Sequence, residues 1–70
     1  MTHLIRHMLR EDDARKLAAA LGSKGFGVTA EVQPRDGSYA VVINGETNCT
    51  HLTAMQIWAD GYANALEGDN

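Results

Sequence analysis

The stretch Phe26-Gly27-Val28-Thr29-Ala30-Glu31-Val32-Gln33-Pro34-Arg35-Asp36-Gly37-Ser38-Tyr39-Ala40-Val41-Val42-Ile43-Asn44 decides the fold. Phe26, Val28, Ala30 and Val32 alternate with Gly27, Thr29, Glu31 and Gln33. Tyr39, Val41 and Ile43 alternate with Ala40, Val42 and Asn44. A period of two puts one apolar face on each segment, as a half-buried strand requires. β-branched and aromatic residues, which suit a pleated surface, are dense in both. Strands are therefore predicted over 26–33 and 38–44, joined as an antiparallel hairpin. Between them, Pro34 presets φ for a turn corner and Gly37 can take positive φ. A type I turn over Pro34 to Gly37, closed by a glycine bulge, is the expected geometry.

Working outward, a helix is predicted over 11–22. Glu11, Asp12 and Asp13 open it and can cap its first N–H groups. Ala14, Leu17, Ala18 and Leu21 form one apolar stripe. Gly22 or Gly25 stops the helix. On the other side of the hairpin, Asn44 to Asn48 is a loop by composition. A second helix is predicted over 50–66, with Thr50 as its N-cap. Leu52, Met55, Ala59, Tyr62, Ala63 and Leu66 line one face, with Trp58 at its margin. Gly68, Asp69 and Asn70 read as a frayed tail.

Residues 3–9 are ambiguous. Leu4, Ile5, Met8 and Leu9 have helical spacing, yet they fall on a different side from the stripe of the first helix. A break near Arg10 to Asp12 follows, leaving either a short helix or an edge strand. The strand is preferred, because three strands are much more stable than two. The fold class is thus α+β: one small two-layer (β)αββα domain over 1–70, with the hairpin packed on two helices.

The chain has 70 residues and a net charge of −3. Its pI of about 5.4 disfavours a binder of phosphate backbones, which needs a basic patch. Hydrophobic residues make up 44%, a proportion that suits a folded globule. One cysteine, Cys49, cannot form an internal disulfide, and a lone thiol fits a reducing compartment. No apolar run matches a signal peptide or approaches the roughly 20 residues of a membrane span. A cytoplasmic location without membrane contact is the expectation. Asn48-Cys49-Thr50 then matches the N-glycosylation pattern by chance.

Four groups of residues invite a chemical reading. His3, His7, Cys49 and His51 are zinc-ligand types, but their spacing follows no zinc signature. Cys49 begins the second helix, where a thiol can be activated, but no base or third partner accompanies it. Gly22-Ser23-Lys24-Gly25-Phe26-Gly27 runs from helix to strand, the reverse of a phosphate loop. Trp58 and Tyr62 lack the basic rim of a base-stacking platform and read as core. No catalytic residue, metal ligand or cofactor is therefore assigned, and a non-enzymatic protein is expected.

From Ala14 to Leu66 the chain runs helix, glycine, apolar strand, Asp-Gly turn, Tyr-x-Val-x-Ile strand and helix. This rhythm resembles one half of a SPOR-type repeat, the peptidoglycan-binding module of ferredoxin-like fold. The membrane anchor usual in that family has no counterpart here. A double-stranded-RNA-binding domain shares the helix, strands and helix. It adds a third strand after the hairpin and a lysine-rich start to the last helix. Asn48-Cys49-Thr50-His51 carries no such lysine. Neither resemblance transfers a functional residue.

Two surfaces look unfinished. Ala54, Ile57, Gly61 and Ala65 form a second stripe on the second helix, nearly opposite the first. It either packs on the first helix or meets another chain, with Ile57 as the contact knob. The outer hairpin face, Thr29, Glu31, Gln33, Ser38, Ala40 and Val42, is weakly polar, and a free edge there invites strand addition. The expected function is a small protein-interaction module. It would regulate or inhibit a larger protein by occlusion, or form a homodimer, through Ala54, Ile57, Gly61, Ala65 and Val42. Small lone-domain chains of this kind are common in phages and mobile elements. The alternative is a nucleic-acid-binding accessory protein using Arg6, Arg10, Arg15 and Lys16, with Lys24 nearby.

Overall fold

The structure is a computed structural model, and it describes residues 2–68. The elements run β1 (Thr2–Met8), α1 (Glu11–Ser23), β2 (Thr29–Arg35), β3 (Ser38–Asn44) and α2 (Cys49–Glu67). The three strands form one sheet in the order β1-β3-β2, with both pairings antiparallel. The preferred reading of the N-terminal segment as a strand holds. β1 and β2 run parallel with β3 between them, so β1-α1-β2 is a split β-α-β unit. The chain is an α+β domain with the (β)αββα order. The tail expected at Asp69 and Asn70 lies outside the described residues.

Both helices contribute to one core. Leu17, Leu21, Val41, Ile43, Met8 and Met55 are its largest fully buried side chains. Burying each removes about 1.5–3 kcal/mol of apolar surface cost. α1 lies over β2 and β3, while α2 runs beside α1 and over β1. The alanine-rich stripe of α1 closes onto the sheet with Ala14 and Ala18 buried beside the two leucines. From α2, Met55, Ala59 and Ala63 are buried.

Several local expectations shift. The strand expected over 26–33 begins at Thr29 instead, because Gly25 and Gly27 hold φ of 85° and 77°, which breaks extended pairing before Val28. Phe26 still packs against the core from the loop. The hairpin turns one residue later than expected. Arg35 pairs with Ser38, so the connection is Asp36-Gly37, with Gly37 at φ 80°. The register from Thr29↔Asn44 to Arg35↔Ser38 is unbroken, and no bulge closes it. Pro34 therefore sits inside β2. In a two-residue hairpin the closing pair is hydrogen-bonded, so alternate residues of β2, Pro34 among them, turn their backbone groups to the free edge. That is where a strand tolerates proline.

The helix ends also differ. No side chain caps α1, whose N-cap is Arg10. Glu11, Asp12 and Asp13 occupy its first turn and act through the helix dipole, worth about 0.3–1 kcal/mol per charge. Gly22 lies within α1, and the stop follows it. The N-cap of α2 is Asn48, not Thr50. Its side-chain oxygen accepts from the His51 backbone N–H at 2.8 Å. Asparagine is a strong N-cap for the same reason as threonine, and two residues separate the two choices.

Candidate functional site

Two surfaces of the domain are left open by this packing, the outer face of the sheet and the outer face of α2. Each follows from an element that had more than one way to pack.

The sheet's outer face is shaped by an irregularity in β1. Leu4 pairs with Val42 and Arg6 pairs with Val41, so Ile5 and Arg6 share one position on β3. An extra residue in one strand is a β-bulge, and it reverses the alternation beyond it. Ile5 enters the core at 6% exposure. Arg6 turns to the helix side. There its guanidinium meets Asp60 at 3.1 Å and Glu67 at 3.4 Å, tying the second half of α2 to β1. The bulge also separates two histidines that a regular strand would place on one face. His3 pairs with the core residue Ile43, whereas His7 pairs with Ala40 on the outer side. His7 Nδ1 lies 3.5 Å from Ser38 Oγ there.

The outer face has an apolar centre and a polar frame. Along β2 and across the sheet, Arg35 donates to Gln33, Gln33 to Glu31, Asn44 to Glu31, and Thr2 to Asn44. Val42 lies at the centre but is only 3% exposed, with Leu4 and Glu31 as its cross-strand neighbours. It is thus not an accessible contact residue. The side chain presenting apolar surface there is Leu4, at 46% exposure. Sequence reasoning grouped Leu4 with the apolar residues of its segment. Strand alternation puts Leu4 and Ile5 on opposite faces, and the bulge, which has no local signal, lets Ile5 and Met8 both face the core.

Each sheet edge is blunted in part as a template for an added strand. On β2, Pro34 supplies no N–H. On β1, the Leu4 carbonyl accepts from Gln56 Nε2 and the His7 carbonyl from Arg6 Nε, each at 3.3 Å. Edge strands are commonly blunted by proline and charged side chains.

The second surface is the outer face of α2. Ala54, Ile57, Gly61 and Ala65 are all exposed, Ile57 at 67%. The stripe therefore does not pack on α1, which meets α2 from another side. Thr50, Thr53 and Asn64 flank it and are exposed as well. No Asp, Glu, Lys or Arg lies among these residues, because the helix's two carboxylates, Asp60 and Glu67, both face Arg6. A Cβ built on Gly61 would meet nothing within 4 Å. The result is a stripe of uncharged residues with one large apolar side chain, bordered by Asp60.

The remaining candidates are dispersed. Arg6 is engaged by two carboxylates, and Arg15 by Glu11 at 3.5 Å. Lys24 Nζ lies 5.6 Å from the centroid of the Trp58 ring, in a cation–π contact. Arg10 and Lys16 are exposed. Of the cationic set read from the sequence, Arg6, Arg15 and Lys24 thus have local partners, with Arg15 still 68% exposed. Trp58 packs edge-on to Phe26 at 6.3 Å and tilted to Tyr62 at 5.3 Å, as a rim of the core.

Cys49 is exposed at the first turn of α2. A shallow cleft of about 540 Å³ lies at the same end of the helix. His3, Gly45, Glu46, Thr47, Asn48 and His51 line it, and Cys49 does not. Of the four zinc-type residues, the cleft gathers only His3 and His51. Among the described residues, no group of three or more His, Cys, Asp or Glu is arranged to hold a metal. Among the same residues, no helix is long and apolar enough to cross a membrane.

No protein-family model, curated protein or solved structure matches the chain. The likeness to a SPOR-type half-repeat thus rests on element order alone.

Proposed function

We propose that the chain is a small, non-enzymatic protein-interaction module of the cytoplasm that docks through the outer face of α2. The observation that carries this reading is the 67% exposure of Ile57 in the middle of an uncharged stripe with Ala54, Gly61 and Ala65. Scattered single apolar residues on a surface need no explanation. Here, however, the stripe and its neighbours Thr50, Thr53 and Asn64 carry no charge in a chain that is 21% charged, and the bordering Asp60 is held by Arg6. Small residues let another backbone approach closely, and Ile57 supplies the apolar anchor that such a contact needs. The module regulates or inhibits by covering a surface of its partner, which is either a larger protein or a second copy of this chain. A phage or mobile-element source is consistent with its size.

The nucleic-acid alternative loses support from the ion pairs of Arg6 and Arg15.

The test compares the unaltered chain with Ile57→Asp by light scattering at high concentration and by affinity capture from the native host. Self-association or a captured partner, lost in the variant while thermal unfolding is unchanged, is the expected result. A monomer at high concentration whose captured proteins are unaltered by the substitution would overturn the proposal.

A further inference from the structure

We draw no further inference here: the strongest candidate, the shallow cleft between His3, Glu46 and His51 at the start of α2, rests on a helix N-terminus with no second observation that points to a ligand.

Discussion

Around its circumference α1 shows a single apolar stripe, Ala14, Leu17, Ala18 and Leu21, and all of it is buried. Its other side carries Glu11, Asp12, Arg15 and Lys16 in solvent. α2 shows two apolar stripes and few charges. Met55, Ala59 and Ala63 are buried, while Ala54, Ile57, Gly61 and Ala65 stand in solvent. The first helix follows the rule for a surface helix, with one face for the core and a charged face for water. The second departs from it on the side the domain does not use. That difference separates residues that hold the fold from residues available to something else. It is sharpest at Met55 and Ile57, two positions apart on one helix, at 0% and 67% exposure.

Substitutions can break this contrast in order of effect. Met55→Asp should have the largest. It places a carboxylate in the core, where an unpaired charge costs several kcal/mol. A chain of this size has only about 4–10 kcal/mol of stability, so the far-UV signature of the fold should be lost at ordinary temperature. A folded Met55→Asp protein would show that the inner face of α2 is not needed. Leu17→Ala on α1 comes next, with a loss of about 2–5 kcal/mol in urea unfolding, because a fully buried side chain leaves a cavity.

The ends and ties of α2 rank below the core. Asn48→Ala removes the acceptor for the His51 N–H and should cost about 1 kcal/mol, while Asn48→Asp should keep most of it. Equal losses in both variants would mean that the cap is not the source of the effect. Arg6→Gln breaks the tie between β1 and α2. The pairs are partly exposed, so about 0.5–1 kcal/mol is expected, with the difference from the unaltered chain shrinking in 1 M salt. A salt-independent loss would point to packing of the Arg6 stem instead.

Ile57→Asp has the smallest expected effect on folding, within about 0.5 kcal/mol. Its effect should fall on association. A large loss of stability in an isolated monomer would erase the contrast between the two faces, since it would make Ile57 part of the fold.

The legible parts of the fold were those with a local period. Alternation from Val28 to Val32 and from Tyr39 to Ile43 marks the hairpin, and 3.6-residue spacing marks α1. Element edges were less legible for particular reasons. Phe26 and Val28 continue the alternation by composition, but the glycines between and before them bend the chain away from β3. Thr50 and Asn48 are both good caps, and the choice between them is made by where β3 ends and α2 must start. The candidate site was legible as a second stripe on α2. Its exposure was not, because a stripe of small residues packs equally well on a neighbouring helix or on nothing within the domain. Val42 and Leu4 show the same limit on the sheet. Parity puts Val42 on the outer face, but its flanking strands cover it, and its β1 neighbour Leu4 stands out instead.

What the sequence by itself determined is the set of short-range patterns: two alternating segments, a turn with a glycine at positive φ, and a helix with one apolar stripe. Each depends on residues within a few positions of one another, so backbone geometry alone converts it into an element and a face. Only the tertiary structure decided that β1 joins β3, that a bulge splits His3 from His7 and delivers Arg6 to Asp60 and Glu67, and that Ile57 faces outward. These outcomes depend on contacts between segments about 40 to 60 residues apart, which no local spacing encodes. A one-residue slip in a strand reverses its faces, and a helix with two apolar sides buries whichever one the rest of the domain can cover.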